Sequence, residues 1–390
     1  MKKISNKDIK DILEKNVAEI IDRASLEKKL LSGRKLRIKL GIDPTSPNIH
    51  IGRAVVLRKL RDFQKLGHTV IFIVGDFTGL VGDTSDKDSE RPMLTEKQVR
   101  ANMKTYFKQA FKILDKNKTE THYNSEWLKK LGFKEIAAIA NMFGLHEFEA
   151  REVIARRLKE GKRVSLREVL YPLMQGYDSV AVKADVELGG TDQRFNLLSG
   201  RVIQQNFRQS PQDILMTVFP LEGTDGRKMS SSWGNVINIA DESNDMFGKI
   251  MSIRDNLIEK YYKLATDLTD GEIAQIMKKR PLEAKEELAF EITKLYHGEK
   301  KALGARKYFK ETFQEKKLPT SMPAVKYEDV KLSDILLKAG MVGSNSEYRR
   351  LIRDGAIEVN SKVIGDPNFK PHPGSIIKIG KKKFIKIRAK

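Results

Sequence analysis

Apolar residues recur at helical spacing from the start of the chain: Ile9, Ile12, Leu13, Val17, Ile20 and Ile21 predict a leading helical segment over residues 4–31. The period then changes. LRIKLGI (36–42) and HTVIFIVGD (68–76) alternate or run apolar like buried strands, and AVVLRKLRDFQKLG between them returns to helical spacing. The three make a βαβ unit, which implies parallel strands and a right-handed crossover. Further helical patterns cover 95–114 and 146–160, VAVKADVEL (180–188) reads as a strand, TDQRFNLLSGRVIQ (191–204) as a helix, and ILMTVFP (214–220) closes the alternating region. Ligands in such open sheets bind beyond the carboxyl ends of the strands.

After GRKMSSSWGN (226–235) the pattern is almost wholly helical from 240 to 316, ending in a proline-bearing connector, LPTSMPA. LSDILLKAG (332–340) and SNSEYRRLIRDG (344–355) then read as short helices closed by glycine. AIEVNSKVIG follows as a hairpin that turns at Asn360-Ser361.

Composition narrows the class. A chain of 390 residues, 40% hydrophobic and 32% charged, has the make-up of a globular protein of two or three domains. No apolar run reaches the roughly 20 residues of a bilayer span, and MKKISNKDIKDILEK has no signal-peptide core, so a cytoplasmic protein with no membrane partner is expected. The absence of cysteine excludes disulfides, thiolate metal sites and cysteine nucleophiles. The net charge of +21 fits a polyanionic partner. Residues 325–390 carry fifteen Lys and Arg against seven Asp and Glu, a net of +8, and are denser in positive charge than the whole. Arg349, Arg350 and Arg353 share a helical face there, and with Lys381, Lys382 and Lys383 they are candidate phosphate contacts for RNA.

Three stretches carry candidate chemistry. In DPTSPNIHIGR (43–53) a strand turns into a helix whose free N–H groups and dipole suit a phosphate. His50 there is a donor, and Gly52 leaves room for a flat ring against the backbone. No G-x-G-x-x-G follows the first strand, which excludes the dinucleotide fingerprint. In GRKMSSSWGN, Lys228 stands in a polar loop between glycines. In YPLMQGYD, Tyr171, Gln175 and Asp178 fall at i, i+4 and i+7 on one helical face, where a carboxylate at the end of an apolar, amide-lined pocket would accept from a phenol.

The first two stretches together resemble the HIGH and KMSKS signatures of class I aminoacyl-tRNA synthetases. The wider match runs from GIDPTSPNIHIGR through VGDFTGLVGD, YPLMQGYDSVAVKADVELGGTDQRFN and KMSSS to RPLEAKEELAFEITKLYHG, and is to bacterial-type tyrosyl-tRNA synthetases. The C-terminal segment looks like the small RNA-binding domain of ribosomal small-subunit protein four. The resemblance implies an α/β fold with a Rossmann-like parallel-sheet catalytic domain over 1–235, including an N-terminal helical segment and a connective insertion. It further implies a helical anticodon-stem-binding domain over 236–316, a linker at 317–326 and a small α+β RNA-binding domain over 327–390. It implies a homodimer that activates L-tyrosine with ATP, accompanied by Mg²⁺, and transfers it to the terminal ribose of tRNA(Tyr). Tyr171, Gln175 and Asp83 match the positions that hold the α-ammonium, Asp178 the phenol ligand, Gln193 the contact near the reacting carboxyl, and Gly41 is a further tyrosine-binding position. Asp43, Thr45, His50, Gly52, Asp192, Lys228 and Ser231 match positions around ATP, with His50, Lys228, Thr45 and Arg53 as transition-state donors. Three positions depart from the pattern: Arg53 replaces the second histidine, Ser231 the second lysine, and Lys39 a tyrosine that binds the phenol in one branch of the family. The tryptophanyl homologue and a non-catalytic RNA-binding protein on the same scaffold are the alternatives; YxxxQxxD and the C-terminal unit argue against the first.

Overall fold

The structure, a computed structural model, describes residues 5–83, 93–218, 221–314, 322–380 and 383–388. It forms two compact units, Met1–Leu303 and Gly304–Lys390.

The first unit is built on a six-stranded sheet of β1 (Val17–Ile21), β2 (Arg37–Ile42), β3 (Thr69–Val74), β4 (Thr119–Tyr123), β5 (Val186–Gly190) and β6 (Asp213–Thr217). Its order is β1-β6-β5-β2-β3-β4. All neighbours are parallel except β1, which runs antiparallel to β6. Ile38, Phe72, Val186 and Ile214 are fully buried, because both faces of the parallel strands are covered. The chain leaves β2 in one direction and β5 in the other, so a crevice opens where their carboxyl ends diverge.

Two sequence expectations are corrected. Residues 4–31 are not one helical segment but α1 (Asn6–Glu14), β1 and α2 (Arg23–Leu31). Asn16 and Asp22 break the helix with φ of 59° and 63°, a region that Asn and Asp tolerate, and the VAEII run between them pairs with β6. The strand expected over 180–188 is shorter. Val180 and Ala181 finish the long helix Leu166–Ala181, which the Ser165 and Glu168 capping box starts, and β5 begins only at Val186. The edge strand β4 gave no sequence signal, since TETHY is polar throughout.

The remaining expectations place the site. α3 (Ile51–Lys65) follows β2 directly, with His50 as its cap. The helices between Ser243 and His297 belong to this unit and pack on its sheet layer: Arg58 of α3 bonds to the Thr266 carbonyl and pairs with Asp267 at 2.6 Å, and Asn16 donates to the Lys263 carbonyl at 2.9 Å.

The second unit, by itself, carries the helices Leu332–Lys338 and Asn345–Arg353 against a small sheet. Its strands are β7 (Ala324–Lys326), β8 (Ile357–Val359), β9 (Lys362–Val363), β10 (Ile376–Ile379) and β11 (Lys383–Arg388), in the order β7-β11-β10-β8-β9. Leu332, Leu336, Ile357, Ile377 and Ile385 form its core. Asn360 and Ser361 both have positive φ, as a two-residue hairpin turn requires. No described helix is long and apolar enough to cross a membrane.

Candidate active site

Beyond the carboxyl ends of β2 and β5 lies a cavity of about 540 Å³. All fourteen residues that the sequence assigns to ATP, tyrosine or catalysis line it, although they come from segments up to 190 residues apart. Gly41 ends β2, Gly52 and Arg53 open α3, and Tyr171, Gln175 and Asp178 face inward from the helix Leu166–Ala181. Asp192 and Gln193 stand at the turn after β5.

At the closed end, Asp178 is 3% exposed. It accepts from Trp127 Nε1 at 2.7 Å and from Asn124 Nδ2 at 3.3 Å. Burial pushes its carboxyl up to about 7, against the opposing pull of Lys39 and these two donors. Asn124 also donates to Thr78 Oγ1, Thr78 donates to Asp43 at 2.7 Å, and the Tyr171 hydroxyl donates to the other Asp43 oxygen at 2.9 Å. A continuous wall of hydrogen bonds thus joins Asp178 at the closed end to Asp43 and Tyr171. Asp43 holds Tyr171 in place and is the hinge of that wall. On the other side Gln193 donates to Asp83 at 2.7 Å, and Asn196 bridges Gln175 and Gln193.

At the open end, Nδ1 of His50 accepts the N–H of Arg53 at 3.3 Å, which leaves the ring proton on Nε2. Burial, with Arg53 and Lys228 nearby, pushes its pKa down to about 3, so the ring is a neutral donor at every physiological pH. Gly52 serves this ring as well as any adenine: a Cβ there would stand 3.0 Å from His50 Nδ1. Arg53 is no surface charge. It donates to Thr45 Oγ1 at 3.0 Å and to the Tyr106 hydroxyl at 3.3 Å, and lines the cavity. The two signature segments meet directly, Ser231 Oγ lying 3.1 Å from Ser46 Oγ, while Ile51 N donates to the Ile237 carbonyl and Ile239 N to the Ile49 carbonyl. Asn235 ties the KMSSS loop to Asp225, Ser230 and the Lys228 carbonyl.

Sequence reasoning missed Gly75, Thr78, Asn124, Trp127 and Asn235. Gly75 alone had a signal, a glycine directly after a strand. A Cβ there would come within 2.1 Å of Asp43 Oδ1 and 2.2 Å of Thr78 Oγ1. Gly75→Ala is therefore expected to destabilise the protein by about 1–3 kcal/mol, because the Asp43 hinge must move. Denaturant melts check this; a variant of unchanged stability contradicts the hinge.

In the second unit Arg349, Arg350 and Arg353 are exposed on the helix Asn345–Arg353, and none forms an ion pair among the described residues. Lys383 Nζ donates to the Met341 carbonyl at 2.9 Å. Lys381 and Lys382 lie outside the described residues.

A parallel sheet whose first crossover helix is capped by the histidine of HIGR, with a KMSSS loop hydrogen-bonded against the same turn, defines a class I aminoacyl-tRNA synthetase. The model of the family described as tRNA synthetases class I (W and Y) matches residues 31–314, and that of the S4 domain residues 330–377. The tyrosine–tRNA ligase of Thermotoga maritima is 45% identical over 386 residues, covering 96% of each chain. That of Aquifex aeolicus is 44% identical over 382 residues, covering 96% of this chain and 97% of its own. The chain belongs to the tyrosine–tRNA ligase family. Among solved structures, the tyrosyl-tRNA synthetase from Archaeoglobus fulgidus complexed with L-tyrosine shares the fold, with a TM-score of 0.60 at 22% identity, covering 76% of this chain and 99% of that one. A truncated mitochondrial tyrosyl-tRNA synthetase of Aspergillus nidulans does so with 0.66 at 21% identity, covering 78% and 94%.

Proposed function

We propose that this enzyme activates L-tyrosine with ATP and transfers it to tRNA(Tyr). The observation that carries the reading is Asp178, fixed by Trp127 and Asn124 at one end of the cavity that holds His50 and Lys228 at the other. A buried carboxylate with lone-pair directions left over from these two donors suits a phenol O–H, which a phenyl ring cannot supply. An oxygen of the tyrosine carboxylate attacks the α-phosphorus of ATP in line, and the bond to the β-phosphate oxygen breaks, releasing pyrophosphate. A ribose hydroxyl of the tRNA terminus then attacks the tyrosyl carbonyl, and AMP leaves. No protein nucleophile is needed. Positioning and neutralisation of phosphate charge suffice, from neutral His50, Arg53, Lys228 and Thr45. Asp192 would hold the ribose, and Tyr171, Gln175 and Asp83 the ammonium.

The donors at the phosphate end are cationic or neutral, which fits phosphate oxygens and not a bare cation; among the described residues no cluster of three carboxylates or histidines suits a metal. Mg²⁺ would enter on the phosphates of ATP and add positive charge there. Phe133 and Leu166, 89% and 78% exposed, support a homodimer that covers them. The working place is the cytoplasm, where its substrates are.

Tyrosine-dependent ATP–pyrophosphate exchange tests the reading; exchange driven by tryptophan instead, or tRNA binding with no exchange, overturns it. The domain roles predict a second result. The helical stretch after 236 would bind the tRNA anticodon stem, and the unit from 327 would hold RNA through Arg349, Arg350, Arg353 and Lys381–383. Deleting residues from 327 onward is expected to leave exchange within about threefold and to lower tRNA charging by tenfold or more, since exposed phosphate contacts act on RNA affinity alone. Equal loss of both activities contradicts the division.

A further inference from the structure

Lys39 occupies the place of a phenol-binding tyrosine in one branch of the family, yet it does not line the cavity. It is fully buried in β2 beneath it, beside Glu187 of β5 in the sheet register. Nζ of Lys39 stands 3.0 Å from Glu187 Oε1 and donates to the Gln175 carbonyl at 2.8 Å and to Ser179 Oγ at 2.7 Å. Glu187 also accepts from Gln175 Nε2 at 3.2 Å, from Ser179 Oγ at 3.0 Å and from Gln212 Nε2. Two charges this far from water stabilise a fold little more than apolar side chains of the same shape would. All three protons of Lys39 and both oxygens of Glu187 are engaged, and both side chains engage Gln175, which lines the cavity.

An amide has no preferred direction of its own, but a carboxylate beside it selects the N–H₂ face. Glu187 takes the nitrogen of Gln175, so the oxygen points the other way, where Asn196 meets it at 3.2 Å. Asn196 also donates to Gln193 at 3.0 Å, and Gln193 to Asp83 at 2.7 Å. One buried carboxylate therefore orders the side chains assigned to the α-ammonium and the reacting carboxyl.

We propose that the Lys39–Glu187 pair is the positioning device of the tyrosine pocket: Glu187 turns the Gln175 oxygen toward the ammonium, and Lys39 supplies the positive field that keeps Asp178 an acceptor for the phenol. The proposal rests on the tyrosine-ligase reading of the site. The groups facing Asp178 are Lys39 from β2, Glu187 from β5, Trp127 and Asn124 from beyond β4, and Tyr171 on its own helix; Asp43 is reached through Thr78 and Asn124. Lys39 favours the anion of Asp178, and Glu187 and burial oppose it. The place where one branch puts a neutral phenol ligand here holds a cation one layer deeper, acting on the phenol's partner.

The test is the pH dependence of the KM for tyrosine in ATP–pyrophosphate exchange from pH 6 to 9, at saturating ATP. Lys39→Met moves the midpoint upward by about one pH unit or more and raises the KM for tyrosine at neutral pH about tenfold, with the KM for ATP unchanged. The near-isosteric Glu187→Gln moves the midpoint downward, while its raised KM persists at high pH because the Gln175 amide is free to turn. A packing role moves both variants alike and leaves the midpoint in place. Midpoints that stay put, or move in the same direction, overturn the proposal. If Lys39→Met does not fold, Glu187→Gln decides alone: a downward shift supports the device and an unmoved midpoint ends it. Absence of tyrosine-dependent exchange in the unaltered protein is a different result, which overturns the functional reading.

Discussion

Alanine at His50 lowers kcat for tyrosine-dependent pyrophosphate exchange by about 10²- to 10³-fold, with the KM for tyrosine changed little. The ring caps α3 through Nδ1 and so presents Nε2–H, fixed in direction before any substrate arrives. Its phosphate contact strengthens as charge moves onto the phosphate oxygens, which is the condition for an effect on kcat and not on binding. The cap itself contributes on the order of 1 kcal/mol to stability, so melting separates a folding defect from a catalytic one. Because His50 titrates near 3, the exchange rate of the unaltered enzyme shows no limb from this ring around pH 6.5. A loss below tenfold in a fully folded His50→Ala variant would remove His50 from the transition state.

Asparagine at Asp178 has the second large effect, on tyrosine alone. An amide of the same shape brings one oxygen and one N–H₂ to a place where Trp127 and Asn124 both point hydrogens inward. One of those donors then faces another donor, and the phenol loses its acceptor. Leaving a buried polar group unpaired costs about 1–3 kcal/mol, so the KM for tyrosine rises about 10- to 100-fold and the KM for ATP does not. Discrimination against phenylalanine narrows, since the unaltered site rejects it through the same unpaired carboxylate. In the unaltered enzyme Asp178 is protonated below about 7 when the pocket is empty, and the bound phenol favours the anion. Tyrosine affinity therefore rises as pH increases through 7 and levels off above it, and Asp178→Asn removes this dependence. A steep pH dependence that survives in the variant assigns it to another group.

Much of this site was legible in linear form. DPTSPNIHIGR signals a strand turning into a capped helix because proline, histidine and glycine each have few other reasons to stand there. YPLMQGYD declares one polar face because helical geometry fixes which side chains are neighbours. Thr78, Asn124 and Trp127 had no such signal. They reach the pocket from α4 (Thr78–Val81) and from the turn after β4, an edge strand too polar to show a buried pattern. The leading segment failed for the converse reason: VAEII is apolar enough for a helix face or a strand, and pairing with β6, almost 200 residues away, settles it.

The sequence by itself determined the family, the first βαβ crossover and the chemical identity of the groups that gather in the cavity, because local periodicity and side-chain type are properties of the chain alone. Only the tertiary structure decided their states. His50 is neutral because it is buried beside Arg53 and Lys228, Arg53 is a pocket residue because Thr45 and Tyr106 hold it there, and Asp178 is poised near neutrality because burial outweighs Lys39. Lys39, which in the sequence reads as a lost phenol ligand, is in the fold one half of a buried pair beneath the pocket. Protonation and orientation depend on the distance to water and to other charges, and those distances exist only after folding.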